Sequence, residues 1–421
     1  MTAPDLKTEA LPASDVSATD GNYRCPNCGQ DKMTVFYEVH NVPVHSVLLM
    51  DTREDAVTYP TGDIRLGACA HCGFVSNVAF RPEVHEYSQR YESTQAYSPT
   101  FNKFHTDLAQ RLIDRYELAG KQVVEIGCGQ GEFLALLSRL GNVQGIGFDP
   151  AYAGRVHEAA ADPNLTFISD FYAEKYTNYT GDFICCKMTL EHISNTAEFL
   201  QTVRRSIGDR PNATVFFQIP NGGYVLNDLA FWDVYYEHCS YFTPVSLRYL
   251  FESSGFQVLD VATQYDDQYL TIEARPVAVA ANASAPVDAE ALAAVMQSVD
   301  YFGDNVLAKL HYWQHKLQHL QQQGKRAVIW GSGSKGVAFL TSVGLRDEIG
   351  YAVDINPKRH GTFMTGTGHE IVGPEFLRSY QPDVVIVMNP IYCAEIQRDL
   401  ERLGLSAEML TVDLQPVAQR I

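Results

Sequence analysis

Apolar positions fall into short runs separated by polar stretches of helical period, and this alternation predicts an α/β protein. The clearest unit is 121–150, KQVVEIGCGQGEFLALLSRLGNVQGIGFDP. Val123, Val124 and Ile126 form an apolar run broken only by Glu125, which Gly127, Gly129 and Gly131 end before a helical pattern begins. That order reads as a buried parallel strand, a glycine turn and a helix N-terminus. A second run at 143–148 ends in Asp149, a third at 165–170 (LTFISD) ends in Asp170, and 182–188 and 214–220 read as two more strands. Helical patterns cover 101–117 and 194–207, and 256–275 reads as a closing antiparallel pair. A further helix, about 244–254, is expected to point its N-terminal end at a cleft formed by the aromatic stretch before it.

The pattern restarts after 276–288, PVAVAANASAPVD, whose alanines and prolines read as a linker. A long helix is predicted over about 288–322. Beyond it AVIW enters GSGSKG (331–336), with further strands at 350–354, 382–390 and 409–414, a second α/β unit. At the other end, 1–20 is polar and Ala/Pro-rich and reads as a disordered lead-in. At 421 residues there is room for two or three domains.

Charge removes some classes of partner. Net charge is −18, from 32 basic and 50 acidic residues, with no basic block, so a nucleic-acid backbone is a poor partner. The sequence has no run of 18 apolar residues and its first residues lack a signal-peptide pattern, so no membrane partner and a cytoplasmic location are expected.

Four of the nine cysteines are paired: Cys25-x2-Cys28 and Cys69-x2-Cys72, each pair followed by glycine. Two such knuckles complete a tetrahedral set, and four thiolates with no open position describe a structural Zn²⁺ site. Iron, or uncoordinated dithiols, are the alternatives. At the first glycine turn, Asp149 is placed to accept hydrogen bonds from a ribose diol, a spacing that suits a dinucleotide or another adenosine ligand. Gly331-x-Gly333-x2-Gly336 with Lys335 is a phosphate-cradle candidate; it equally suits a unit that only packs or helps hold substrate. In 221–255, Tyr224, Phe231, Trp232, Tyr235, Tyr236, Tyr241 and Phe242 crowd around Asp233, Glu237 and His238, and buried ionisable groups among rings are costly unless paired or used. Tyr87, Tyr91 and Tyr97 mark the connector before the first glycine turn.

The E-x-G-C-G-x-G turn followed by Asp149 and Asp170 resembles class I S-adenosylmethionine (SAM)-dependent methyltransferases. The resemblance implies that Glu125, Gly127, Gly129 and Gly131 carry the methionine end of SAM, that Asp149 takes the ribose hydroxyls, and that Asp170 with Phe171 flanks the adenine. A nicotinamide nucleotide site is the competing reading. The order CPNCG, CAHCG, EIGCGQG, WDVYYEHCSYF, GSGSKG, VDINPKRHGTFMTG and MNPIY extends the resemblance from about residue 23 to 416, to three-domain sugar C-methyltransferases acting on nucleotide-linked 4-keto-deoxysugars. The implied fold is an α/β class I methyltransferase core at 81–275, a small zinc-binding domain at 21–80, and a C-terminal Rossmann-like domain at 276–421 that includes the linker and long helix.

By that resemblance His238 is the base, Tyr235 lies with it in the active site, and a connector tyrosine, Tyr87 or Tyr91, joins them. Glu237 is expected to fix the histidine's tautomer. Tyr224 and Tyr236 are expected at the substrate, Tyr236 standing where the family usually has histidine. Gly333, Ser334 and Lys335 are expected near carrier phosphates, in a turn that keeps a lysine but departs from the usual G-Y-G-A-x-x-K. The implied partner is a small-molecule substrate, nucleotide-linked or not, with a monomer compatible. O- or N-methylation of another metabolite, and a non-catalytic zinc-anchored scaffold, are the alternatives.

Overall fold

The computed structural model describes residues 23–84, 90–277 and 286–414. The predicted lead-in, Tyr87 and 278–285 of the linker lie outside them. Three sheets organise the chain. The N-terminal one is antiparallel, built from β1 (Tyr23–Arg24), β2 (Asp31–Pro43), β3 (Thr61–Cys69) and β4 (Val75–Asn77). Its fifth strand comes from far away: Ser240–Tyr241 pairs with Ser76 and Val75.

The central sheet collects β5 (Gln122–Ile126), β6 (Gln144–Phe148), β7 (Leu165–Ile168), β8 (Phe183–Lys187) and β9 (Thr214–Pro220) as parallel neighbours. After β10, the donated Ser240–Tyr241, come β11 (Phe256–Gln264) and β12 (Tyr269–Pro276), and β12 runs antiparallel to both β9 and β11. The order β11-β12-β9-β8-β5-β6-β7 puts β5 at the point where the winding reverses, where open α/β sheets bind ligands. This is the α/β class I SAM-methyltransferase fold. The helix Pro99–Tyr116 starts on the Ser98 side chain and ends at left-handed Glu117, and packs Leu108, Leu112 and Ile113 beside β5.

The C-terminal sheet is parallel throughout: β13 (Ala327–Trp330), β14 (Tyr351–Val353), β15 (Ile371–Val372), β16 (Val384–Val387) and β17 (Glu408–Thr411), ordered β15-β14-β13-β16-β17, a Rossmann-like unit. β15 was not predicted, because two residues carry no period. The long helix Ala289–Gln322, capped by Asp288, leads into this unit.

One apolar core joins these parts. Tyr37 and Ile64 of the first sheet, Phe231 and Trp232, Phe302 and Trp313 of the long helix, and Phe339 and Ile386 of the third unit belong to the same buried cluster. Phe231 stacks on Phe339 and Phe339 meets Trp313 edge-on. Truncating a buried Trp or Phe costs about 3–5 kcal/mol, so the N-terminal sheet, the segment after β9, the long helix and the C-terminal unit are held together by side chains none can bury alone. No helix among the described residues is long and apolar enough to cross a membrane.

Candidate active site

β5 delivers the chain into a turn only glycine can make. Gly127 has φ 71°, and a Cβ there would lie 1.9 Å from Thr189 Oγ1. Gly129 and Gly131 are also left-handed, at φ 56° and 84°, and nothing lies within 4 Å of a Cβ on Gly129. The following helix, Glu132–Gly141, has no side-chain cap, which leaves its first N–H groups for a ligand. Asp149 Oδ2 accepts from Gly129 N at 2.9 Å and Oδ1 from Ala151 N at 2.8 Å, so each oxygen keeps a lone pair for a diol. Burial raises its pKa.

Glu125 lies buried under this turn. Burial pushes its carboxyl up to about 8 against the pull of Lys187, and Oε2 has no hydrogen-bond partner among the described residues. Lys187, itself pushed down by burial, sits 2.6 Å from His105 Nε2, and burial with the lysine charge drives His105 down to about 2. Asp170 accepts from Lys175 and Tyr176, each at 2.6 Å, and is held below the usual carboxylate range, mainly by the Lys175 bond. The Phe171 ring beside it is 55% exposed.

From this turn an open cleft of about 3020 Å³ runs toward the C-terminal unit, lined by Glu125, Asp149, Asp170, Phe171 and Tyr91 on one side. Tyr224, Tyr235, Glu237, His238, Gly333, Ser334 and Lys335 line it further along. His238 Nε2 is 2.9 Å from the Tyr235 hydroxyl and 4.0 Å from Glu191 Oε1. Burial, then the neighbouring His192 and Lys335, hold His238 well below the ordinary histidine pKa, so it rests neutral. Burial likewise raises Tyr235 far above the usual phenol value and Glu191 to about 8, leaving both protonated donors near neutrality. His192 Nδ1 lies 2.9 Å from the Glu237 carbonyl oxygen.

Away from the cleft the four predicted cysteines converge. Cys25 and Cys72 sulfurs are 3.7 Å apart, Cys28 and Cys69 3.6 Å, and all four lie within 4.8 Å of one another. Four thiolates at ~2.3 Å around a tetrahedral ion stand roughly 3.8 Å apart, so the set fits Zn²⁺ with no position left for water.

Residues 101–261 match the family described as "Methyltransferase domain", and 273–407 match "C-methyltransferase C-terminal domain". The chain is a SAM-dependent methyltransferase. It is 25% identical over 390 residues to C-methyltransferase NovU of Streptomyces niveus, covering 88% of this chain and 90% of that protein. It is also 29% identical over 107 residues to the ubiquinone biosynthesis O-methyltransferase of Shewanella pealeana, covering 24% of this chain and 44% of that one. Among solved structures, magnesium protoporphyrin IX methyltransferase from Synechocystis aligns over 42% of this chain and 84% of that chain, with 18% identity and a TM-score of 0.34.

The methyltransferase places some expected residues differently. Glu237 does not reach His238. Its carboxylate accepts from Ser46 N at 2.9 Å and Ser46 Oγ at 2.7 Å, with His45 Nδ1 at 3.4 Å. Burial pushes Glu237 up, but His45 and Ser46 outweigh it and hold its pKa below the usual value. Ser46 Oγ also lies 2.8 Å from Ser334 Oγ, so one serine joins the N-terminal segment, the His238 loop and the helix Ser334–Val343 at the cleft. Tyr236 turns away from the cleft: its ring packs under Gly62 and Phe80, and its hydroxyl accepts from Arg81 N. Lys335 forms an ion pair with Asp233 and sits 5.5 Å from the Tyr224 ring centre. The helix Pro244–Ser253 points at the cysteine cluster instead, where Asn27 donates to Ser246 O and Asn27 Nδ2 contacts Cys72. Ser46 was not expected at the site, whereas Glu191 and His192, which the sequence places with Thr189 and Leu190 at the end of the 182–188 strand, either facing the cofactor or starting the next helix, do line the cleft. For Ser46 the only available cue was a histidine–serine pair after a long strand, 191 residues from Glu237.

Proposed function

We propose that the enzyme methylates a carbon next to a ketone, on a nucleotide-linked keto-deoxysugar or a related intermediate, with His238 as the base. The Tyr235–His238 pair carries this reading: a neutral imidazole and a protonated phenol, 2.9 Å apart, line the same cleft as the first glycine turn. A C–H is nucleophilic only after deprotonation, and the adjacent oxygen must hold the resulting charge. Bound SAM supplies the electrophilic methyl group. Glu125, Gly127, Gly129 and Gly131 would hold its methionine end, Asp149 the ribose, and Asp170 and Phe171 the adenine.

In the tautomer this reading uses, His238 Nε2 is unprotonated and the Tyr235 hydroxyl donates to it in the absence of substrate. A ketone oxygen arriving beside Tyr235 takes that donor, which frees Nε2 to accept the α-proton while Tyr235 hydrogen-bonds the developing oxyanion. Tyr91 lines the same cleft and is the connector tyrosine this reading uses. Glu237 acts at a distance: through Ser46 it ties the Ser334 helix to the His238 loop. Gly333, Ser334 and Lys335 would receive the carrier phosphates, Lys335 exchanging Asp233 for them. A cleft of about 3020 Å³ exceeds the ~300–1,000 Å³ of one small-ligand site, which suits cofactor and bulky substrate together.

The test is hydrogen–deuterium exchange at the substrate's α-carbon, followed by methyl transfer, in wild type and His238→Ala. Loss of the base should slow both by about 10²–10⁴-fold with SAM binding unchanged. Normal turnover by His238→Ala would sink the assignment. The core also resembles ubiquinone O-methyltransferases, and methyl transfer to a hydroxyl without any α-exchange would favour that chemistry.

A further inference from the structure

Glu191, His192 and His238 each present one ligand atom to a common point, a carboxylate oxygen and two ring nitrogens within 4.8 Å of one another. All three line the cleft. Glu191 and His192 come from the short turn Leu190–His192 after β8, and His238 from the loop before β10. The cluster is distinct from the four cysteines.

Its orientation is that of a ligand set. The Glu237 carbonyl can only accept, so His192 Nδ1 carries the proton and Nε2 keeps its lone pair. A backbone carbonyl that fixes the tautomer in this way is the usual outer partner of a metal-bound histidine. Glu191 Oε2 is buried with no hydrogen-bond partner among the described residues, which is costly for a carboxyl oxygen that nothing uses. Glu191 Oε1 stands 4.0 Å from His238 Nε2, close enough for a small side-chain adjustment to bring both onto one ion.

We propose that Glu191, His192 and His238 form a second metal site for a borderline divalent cation such as Zn²⁺ or Co²⁺. Two imidazoles and one carboxylate leave a coordination position open to the cleft, unlike the closed cysteine site. The ion displaces the Tyr235 hydroxyl from His238 Nε2, releases the Glu191 proton to solvent and takes the Nε2 lone pair that proton abstraction needs. Occupancy and base catalysis therefore exclude each other, and the site is inhibitory; this last step rests on the function proposed above.

The probe is Co²⁺ titrated into the full chain with zinc retained at the cysteines. One equivalent is expected to bind with weak ligand-field absorption and no thiolate-to-cobalt charge-transfer band. Glu191→Gln, His192→Ala and His238→Ala, each shown folded by melting and by SAM binding, should each weaken it at least tenfold. Cobalt that binds only with a thiolate band, or with affinity unchanged in all three variants, overturns the site, as does the absence of binding. Cobalt-loaded wild type that exchanges α-protons at full rate overturns the inhibition. Failure of the base reading shows elsewhere, as full exchange by metal-free His238→Ala.

Discussion

The molecule contains two strand–glycine–helix turns with an acid at the end of the next strand, and they are built differently. In the first, Gly127, Gly129 and Gly131 are all left-handed; in the second, Gly331 is left-handed at φ 114°, while Gly333 has an ordinary φ of −76° and simply starts the helix Ser334–Val343. Gly336 is small for packing, since a Cβ there would meet Gly331 O at 2.4 Å. The acids differ too. Asp149 makes one backbone bond per oxygen, whereas Asp354 Oδ2 takes both Ser332 N and Ser332 Oγ, and Oδ1 takes Asn356 N. Two residues before the first glycine stand Glu125 in one turn and apolar Ile329 in the other. The first turn leaves one lone pair on each oxygen of its acid; the second spends both positions of one oxygen on Ser332 and offers Ser334 and Lys335 side chains. On the function proposed above, the glycine turn that holds the cofactor's ribose is the one whose following acid keeps a lone pair on each oxygen.

The largest effect should come from glycine itself. Gly127→Ala must place a Cβ against Thr189 in a left-handed conformation, at about 1–2 kcal/mol for the backbone and ~1–3 for the overlap, so SAM affinity should fall roughly 10²-fold. Gly333→Ala meets nothing within 4 Å at an ordinary φ and should leave SAM binding unchanged. Calorimetry on both variants checks the contrast; equal losses would mean that both turns hold the cofactor.

The second contrast concerns the substrate. Removing a charged hydrogen-bond donor costs about 1.5–3 kcal/mol, so Lys335→Ala should raise KM for a phosphate-linked substrate roughly tenfold or more, with SAM affinity unaltered. Unlinked keto compounds should not register the change. Asp233→Asn, which releases Lys335 from its ion pair, should lower that KM or leave it unchanged.

Which parts of this were legible beforehand follows from how local each signal is. The strand periods, the glycine turn, Asp149, Asp170 and the two cysteine knuckles are written in contiguous residues, and each lies where the pattern put it. The partners of Glu237 are not local. Y-x-E-H suggests a carboxyl next to its histidine, but adjacent residues on an irregular loop face different ways, and Glu237 turns to Ser46 while Glu191 comes to His238. Tyr236 shows the same alternation: between Tyr235 in the cleft and Glu237 beside Ser46, it is left to pack on Gly62 and Phe80. The loan of Ser240–Tyr241 to the N-terminal sheet leaves no periodic trace because it spans two residues.

A pH dependence separates the turns further. Burial raises Glu125 to about 8 in the folded chain from an ordinary 4.5, so the folded state keeps a proton that the unfolded state loses between these values. Its contribution to stability is full below 4.5 and is lost as pH rises through about 8. Denaturant midpoints of ligand-free protein should decline across this window, and Glu125→Gln should flatten the decline. SAM, with an ammonium at its methionine end, should draw the proton off Glu125, so binding should release protons and tighten with pH. Proton release in buffers of different ionisation heat should vanish in Glu125→Gln; release that persists would place the methionine end elsewhere.

The smallest effect tests whether Asp354 is architectural. Its Oδ2 binds the main chain and hydroxyl of Ser332, which is 1% exposed, while Arg359 Nη1 donates to Ser332 O at 3.1 Å and Nη2 to the carbonyl of Glu92 in the connector. Lys358 Nζ lies 3.3 Å from the Glu92 carboxylate, so the acid of the second turn anchors a chain of contacts reaching back to the strip before the methyltransferase core. Asp354→Asn turns one acceptor into a donor facing Ser332 and should cost about 1–3 kcal/mol of unfolding free energy, with SAM affinity unchanged. Asp149→Asn should do the reverse, weakening SAM binding more than folding, because its oxygens keep lone pairs for the ribose. Denaturant melts and SAM titrations on the two variants give four numbers. If Asp354→Asn weakened SAM as much as Asp149→Asn did, the second turn would be a cofactor site, and the distinction drawn between the two acids would fail.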